Sequence, residues 1–162
     1  MNYEINKLIT GHWALPRPIG KYKTRHPDAL LSRLEALVGP YSIKDILHIF
    51  CGISHFPNAK SEIRVDINEE VEPDYAIDLS KEKLPFEDDA FDIVYADPPY
   101  YEFPPYSFVK EAARVTKPNG FLVILHPLVY KTPKGTKRWA VISIGTGPNM
   151  RLRCLNIFRK VE

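Results

Sequence analysis

The sequence has few of the features that mark secreted, membrane or disulfide-stabilised proteins. Only two of its 162 residues are cysteine, Cys51 and Cys154, which is too few for a disulfide framework. No apolar run approaches the roughly 20 residues that cross a bilayer. The N-terminal segment holds Glu4 and Lys7 instead of the charged and apolar regions of a signal peptide. We therefore expect a cytoplasmic protein that has no contact with a membrane.

Two kinds of ligand site are also missing from the sequence. No cluster of cysteine and histidine residues has the spacing of metal ligands, so no metal is expected. No Gly-x-Gly-x-x-Gly motif follows the first apolar run, and this argues against a dinucleotide-binding domain.

What is present suits one ordinary domain. Hydrophobic residues make up 44% and charged residues 26% of the chain, which is typical of globular proteins. A chain of this length builds one core and not two. We predict a single domain over residues 1–162, with an extended arm or lid at 1–24, a core at 25–126 and a closing hairpin at 127–162.

The charges are unevenly distributed although the net charge is only +2. Acidic residues dominate between positions 62 and 102, and basic residues dominate the last third of the chain. A basic face could bind phosphates, and solvated surface charges explain the same pattern equally well.

The apolar pattern predicts an α/β protein. Apolar residues at helical spacing predict helices over 30–38, ended by Gly39-Pro40, and over 106–116, ended by Lys117-Pro118-Asn119-Gly120. Short apolar runs predict buried strands at 43–50, 62–67, 75–79, 91–96 and 121–126, and a hairpin at 139–144 and 152–158. We therefore predict a mostly parallel sheet with a C-terminal antiparallel hairpin. The connections are so short that one or two helices should be missing or reduced to a single turn.

The strongest local signal is Asp97-Pro98-Pro99-Tyr100. It follows directly after the predicted strand 91–96, and ligands of open α/β sheets bind at the carboxyl ends of strands. A proline-stiffened turn capped by Asp97 is the purely structural alternative.

This motif resembles the Asp-Pro-Pro-Tyr signature of the S-adenosylmethionine-dependent amino-methyltransferases, which methylate the exocyclic amine of adenine or cytosine in DNA. Residues 23–27, followed by the first helix, and Ile46 to Gly52 are similar to that family's motifs X and I. The resemblance extends over residues 21–126. It implies a Rossmann-like class I methyltransferase fold and S-adenosylmethionine as the cofactor.

The resemblance also implies which residues hold the cofactor. Gly52 would let the backbone approach the methionine end closely, and Asp66 would accept hydrogen bonds from the ribose hydroxyls. Asp78 would accept from the adenine amino group, with Leu79 beside the ring. The structural alternatives are an exposed turn for Asp66 and a helix cap for His26. The complete implied set is His26, Phe50, Cys51, Gly52, Asp66, Ile67, Asp78, Leu79 and Asp97.

Catalysis is assigned to Asp97, Pro98, Pro99 and Tyr100. The lone pair of an exocyclic amine is conjugated into its base, so something must draw it out. The Asp97 carboxylate and the Pro98 carbonyl can accept the amine N–H bonds, which favours a pyramidal nitrogen and stabilises the positive charge of in-line transfer. Tyr100 would stack on the extruded base. The predicted substrate-binding residues are Tyr100, Tyr101 and Phe103.

Cys51 is not assigned the role of a nucleophile. The cysteine of cytosine C5 methylation follows the fourth strand, whereas Cys51 lies in the cofactor turn. We predict a small packed residue.

The leading hypothesis is methylation of adenine N6 or cytosine N4, with DNA favoured over RNA as the partner. The alternatives are an RNA base amino-methyltransferase, acting on adenine or on guanine N2, and a non-catalytic scaffold subunit. The chain has no additional domain for reading DNA, so low sequence specificity, or specificity supplied by a partner, is expected. Pairing of two chains into a homodimer stays open.

Overall fold

The fold is built around one eight-stranded sheet, which a computed structural model describes for residues 7–16, 26, 29–100, 107–147 and 152–161. Two short 3-10 helices, Tyr41–Ile43 and Glu69–Val71, complete the described elements. The strands and α-helices, in chain order, are β1 (Ile9–Ala14), α1 (Leu30–Val38), β2 (Asp45–Ile49), β3 (Ser61–Asp66), β4 (Tyr75–Ala76), β5 (Phe91–Ala96), α2 (Ser107–Val115), β6 (Thr116–His126), β7 (Thr136–Gly145) and β8 (Arg153–Lys160).

The sheet has the order β1-β7-β8-β6-β5-β2-β3-β4. Strand β8 runs antiparallel to both of its neighbours, and every other pairing is parallel. The predicted mostly parallel sheet with a C-terminal antiparallel pair is therefore confirmed. Seven strands end at one side of the sheet, the carboxyl side, and β8 begins there.

Few helices connect the strands, as predicted. The described residues form two α-helices, and no helix lies between β2 and β3. Between β3 and β4 the chain makes only the 3-10 turn at Glu69–Val71. No helix in the described part of the chain is long and apolar enough to cross a membrane.

Each face of the sheet packs against one of the α-helices. α1 buries Leu30, Leu34 and Val38 on the first face, and each fully buried leucine contributes about 1.5–3 kcal/mol. α2 buries Phe108 and Ala112 on the second face. Because β2, β5 and the end of β6 are buried from both sides, their sequences are largely apolar.

The N-terminal segment differs from the predicted arm. Residues 9–14 form β1, which pairs in parallel with β7 at the edge of the sheet. Ile9 and Trp13 pack against the core, while Thr10, Gly11 and His12 between them are exposed. A half-exposed edge strand has too little apolar periodicity to stand out in the sequence. Residues 1–6 and 17–24 of this segment lie outside the described residues.

Two element boundaries also differ from the predictions. Residues 117–120, predicted to end the second helix as a turn, belong to β6, which begins directly after α2. The Thr116 hydroxyl donates to the Ala112 carbonyl at 2.7 Å and closes the last helical turn. The predicted strand 75–79 is reduced to β4, whose Tyr75 and Ala76 pair with the end of β3.

The basic side chains of the tail lie mostly at the amino side of the sheet, opposite the strand ends. Arg138 packs over the Phe158 ring, and Arg159 packs over the Trp139 ring. Lys160 forms an ion pair with Asp89. These side chains are therefore held by partners within the protein.

Candidate active site

The carboxyl side of the sheet collects most of the predicted site residues. The turn Phe50-Cys51-Gly52 follows β2, and Asp66 ends β3. The motif that begins at Asp97 follows β5, the neighbour of β2. Two residues that were not predicted also lie at this side, His126 at the end of β6 and Arg153 at the start of β8.

The turn after β2 is tightly bound to β3. Phe50 and Gly52 both have left-handed backbone conformations, with φ of 55° and 49°. The Gly52 N–H donates to Asp66 Oδ2 at 2.9 Å, and the Asn68 N–H donates to Asp66 Oδ1 at 3.0 Å. The buried Arg64 side chain donates to the Gly52 carbonyl. The Asp66 carboxylate is thus fixed beside the turn, and each of its oxygens keeps a lone pair for a further donor.

After β4, the Asp78 carboxylate is bound by neighbouring residues of its own loop. Asp78 Oδ1 accepts from the Ser80 N–H at 3.0 Å, and Asp78 Oδ2 lies 2.8 Å from Lys81 Nζ. These hydrogen bonds lower the Asp78 pKa to about 2, with the Lys81 bond contributing most. Leu79 is buried in the core and Ile67 is exposed. A role for Asp78 in cofactor binding requires it to accept a hydrogen bond beyond these local ones.

Cys51 is a buried thiol. Burial raises the Cys51 pKa to about 11, so the side chain is a neutral thiol at physiological pH. A thiol in this state is a poor nucleophile. The structure agrees with the interpretation of Cys51 as a small packed residue.

The motif after β5 forms a chain of hydrogen bonds. The Tyr100 hydroxyl donates to Asp97 Oδ1 at 2.9 Å. The same hydroxyl accepts from Arg153 Nη1 at 3.0 Å. Pro98 is buried and Pro99 is exposed. The Asp97 side chain is 18% exposed, so its carboxylate lies in a small opening of a largely buried site.

Burial is the main cause of the pKa shifts of Asp97 and Tyr100 in this hydrogen-bonded group. Desolvation raises the Asp97 pKa to about 6, against the attraction of the Arg153 charge and the Tyr100 hydrogen bond. Desolvation also raises the Tyr100 pKa, and the Asp97 charge adds to this effect. At neutral pH Asp97 is therefore ionised and Tyr100 keeps its proton.

His26 lies beneath the motif. Its Nδ1 is 4.0 Å from Asp97 Oδ2 and 3.3 Å from the Tyr95 hydroxyl, and its ring stacks on His48. Burial holds the His26 pKa well below its ordinary value, so the ring is neutral. The alternative role as a helix cap has no support among the described contacts, because α1 has Ala29 at its N-cap with no side-chain capping hydrogen bond, and His26 Nδ1 contacts the Tyr95 hydroxyl instead.

Several predicted positions lie outside the described residues. These are Tyr101 and Phe103 of the substrate platform, and the segment 23–25 and Pro27 of the region similar to motif X.

Comparison with known proteins decides the class of this site. Residues 45–124, which run from β2 to β6, match the family described as methyltransferase domain. This segment is a methyltransferase domain. No curated protein sequence matches the chain.

Solved methyltransferase structures share the fold. The N-methyltransferase NodS from Bradyrhizobium japonicum WM9 aligns over 83% of this chain and 99% of its own, at 14% identity and a TM-score of 0.61. A second NodS structure, in complex with S-adenosyl-L-homocysteine, aligns over 82% of this chain and 85% of its own, at 13% identity and a TM-score of 0.61. A Listeria monocytogenes protein assigned to the S-adenosylmethionine-dependent methyltransferases aligns over 81% and 97%, at 13% identity and a TM-score of 0.60. The predicted Rossmann-like methyltransferase fold is confirmed.

S-adenosylmethionine is the cofactor of this methyltransferase. The residues present fit it: the left-handed Gly52 turn exposes backbone beside the fixed Asp66 carboxylate, which can accept from hydroxyl groups. Within the methyltransferase, these two residues would hold the cofactor next to Asp97 on the adjacent strand.

The unpredicted residues of the methyltransferase site reach it from distant parts of the chain. His126 Nδ1 accepts from the Leu128 N–H at 3.2 Å, and the His126 ring packs edge-on against the Tyr100 ring. Arg153 lies 53 positions after Tyr100. Arg153 lies beside the motif because β8 pairs antiparallel with β6. No local pattern in the sequence predicts that pairing.

Proposed function

We propose that this methyltransferase transfers a methyl group to the exocyclic amine of a base in DNA, adenine N6 or cytosine N4, by direct in-line transfer. The observation that carries the proposal is the position of Asp97. It is a largely buried carboxylate at the carboxyl end of a central strand, followed by two prolines and a tyrosine whose hydroxyl it already binds.

The protein groups that act on the amine are acceptors. The ionised Asp97 carboxylate and the Pro98 carbonyl each accept a hydrogen bond from one of the two N–H groups of the amine. This draws the nitrogen lone pair out of conjugation with the ring. Bound S-adenosylmethionine supplies a methyl group attached to a positively charged sulfur. Positive charge develops on the amine, and Asp97 stabilises it more strongly in a buried site than it would in water. The methylated nitrogen becomes neutral again by losing one of its protons to Asp97 or to solvent.

Arg153 keeps Asp97 ready for this role. A carboxylate in a desolvated site tends to take up a proton, and the Arg153 charge lowers the Asp97 pKa against that tendency. An ionised acceptor is thereby maintained at neutral pH.

Tyr100 supplies an aromatic surface beside the acceptor. An enzyme that acts on a base must extrude it from the duplex or bind it in a single strand, and aromatic side chains stack on such bases. The Tyr100 ring, packed against the His126 ring, lies next to Asp97 and fits this function.

The experiment is transfer of labelled methyl from S-adenosylmethionine to duplex DNA, single-stranded DNA and total RNA in parallel, followed by identification of the methylated nucleoside. We expect N6-methyladenine or N4-methylcytosine in DNA, and no transfer by the Asp97→Ala variant. Leu152→Ala, an exposed position outside the hydrogen-bonded chain, is the control that should stay active.

Three outcomes would contradict the proposal. Label confined to RNA would establish the RNA base amino-methyltransferase instead. Label on a carbon atom of the base would exclude the amine mechanism. Absence of label from all three polymers, in a protein that binds S-adenosylhomocysteine, would indicate a small-molecule or protein substrate or a scaffold role.

A further inference from the structure

The Tyr100 hydroxyl holds two charged groups apart in the free site. It donates one hydrogen bond, to Asp97 Oδ1 at 2.9 Å, and accepts one, from Arg153 Nη1 at 3.0 Å. The Arg153 side chain is half-buried and forms no ion pair with the described carboxylates. Its guanidinium is therefore directed at the same point as the Asp97 carboxylate.

A donor and an acceptor side by side are also what an amino-substituted base presents. On adenine the N6 amine is flanked by the N1 and N7 acceptors, and on cytosine the N4 amine is next to N3. The Tyr100 hydroxyl thus makes the two hydrogen bonds that the edge of such a base could make. A carboxylate only accepts and a guanidinium only donates, so the pair is complementary to this edge in one orientation.

We propose that Arg153 is a specificity-determining residue that reads the ring nitrogen next to the amine that is methylated. This inference rests on the proposed function. The entering base replaces both hydrogen bonds of the Tyr100 hydroxyl. Its amine donates to Asp97 in place of the hydroxyl, and its neighbouring ring nitrogen accepts from the Arg153 N–H. Tyr100 is released and is free to stack on the base.

The exchange selects a chemical class of substrate. The acceptor must be an amine attached to a ring with an unprotonated nitrogen at the adjacent position. An amine without that nitrogen leaves the desolvated Arg153 donor without a partner, which is costly for a charged group. A hydrogen bond to a charged group contributes about 1.5–3 kcal/mol, which corresponds to about a 10- to 100-fold loss in kcat/KM.

The test replaces one ring nitrogen at a time. Oligonucleotides with a single target base carry adenine, 1-deazaadenine, 7-deazaadenine, cytosine or 3-deazacytosine, and kcat/KM is measured for labelled methyl transfer. With the wild-type protein, one deaza analogue of the methylated base should react about 10- to 100-fold more slowly than the natural base. Arg153→Met should react poorly with the natural base and show no further loss with that analogue.

Two further variants control the result. Arg153→Lys keeps a cationic donor and should retain part of the discrimination. Arg159→Met makes the same change on the same strand at the opposite side of the sheet and should discriminate like the wild type. Melting temperature and S-adenosylhomocysteine affinity verify that each variant is folded.

Two results would overturn the inference. If Arg153→Met lowers the rates on the natural base and the analogue by equal factors, Arg153 does not read the ring nitrogen. If the wild-type protein methylates all deaza analogues as fast as the natural base, the nitrogen is not read at all. In both cases the amine is still methylated and the proposed function stands. Absence of methylation on every base would instead reject the proposed function and the inference together.

Discussion

At the scale of single residues, burial of the Asp97 carboxylate makes the stability of the protein depend on pH. A carboxylate at this position is desolvated, and its pKa rises from 3.8 to about 6. The folded protein therefore holds the Asp97 proton more tightly than the unfolded chain does. It follows that the Asp97 contribution to stability is fully present below the unfolded pKa and is lost as the pH rises through about 6.

Replacing this charge by a neutral amide should stabilise the protein. We expect Asp97→Asn to raise the free energy of unfolding by about 3 kcal/mol at pH 8, because the shift of the carboxyl pKa no longer opposes folding. At pH 4, where Asp97 is protonated, the variant and the wild type should be equally stable. Urea denaturation at both pH values measures the difference. A stability gap that does not change with pH would show that Asp97 is not desolvated.

The Tyr100 hydroxyl should affect the pH dependence of methyl transfer. Its hydrogen bond lowers the Asp97 pKa, so Tyr100→Phe should raise that pKa above about 6. The acid limb of kcat/KM, which reports the free enzyme, should therefore move to higher pH in the variant. Pre-steady-state or steady-state rates between pH 5 and 8 measure the shift. An unchanged limb and an unchanged plateau would mean that Tyr100 contributes only its ring.

At the scale of elements, the structure separates what the sequence could and could not predict. The apolar runs that became β2, β5 and the end of β6 were predicted because strands buried on both faces have largely apolar sequences. β1 was not predicted because only Ile9 and Trp13 of its residues pack on the core.

The site divides in the same way. The strand-end residues Gly52, Asp66 and Asp97 could be placed from sequence, because each follows an apolar run directly. Arg153 and His126 could not be placed, because their roles depend on β8 inserting beside β6. That pairing is fixed by the tertiary fold and not by any local pattern.

Strand β6 depends on a glycine at its start. A Cβ atom on Gly120 would lie 2.7 Å from the Asp92 carbonyl oxygen and 2.8 Å from that of Lys117, so backbone would have to move. We expect Gly120→Ala to lower the free energy of unfolding by about 1–3 kcal/mol, as measured by urea denaturation.

Gly11 in β1 offers the matched control. Its added Cβ would make an ordinary 3.6 Å contact with Ile142 Cδ1. Gly11→Ala should change stability by less than about 0.5 kcal/mol. Equal losses in the two variants would argue against the close approach of β6 to β5.

At the scale of the whole molecule, the basic side chains near the end of β8 and the candidate site lie on opposite sides of the sheet. The side chains of Arg159 and Lys160 are engaged at the amino side, whereas Asp97 opens at the carboxyl side. If a nucleic acid binds over the site, the amino-side cations are too far around the sheet to meet its phosphates.

This separation predicts the salt dependence of binding. Lys134 and Lys137 are exposed near the amino side. The double variant Lys134→Gln, Lys137→Gln should bind a fluorescent single-stranded oligonucleotide with the same slope of log K against log salt concentration as the wild type, since no phosphate contact is lost. A slope lowered by the lysine changes would place the nucleic acid on the opposite side.

The pairing of β1 with β7 also has a consequence for the order of folding. Ile9 lies opposite Ala140, so β1 must wait for its partner β7 until the chain between them has been synthesised. At 5–20 residues per second this wait is on the order of ten seconds. During synthesis β1 is a strand without a neighbour, while β2, β3 and β5 can already assemble. The newborn chain therefore completes this edge of its sheet only after β7 has been made, and a product that stalls before β7 would expose β1 as an unpaired strand.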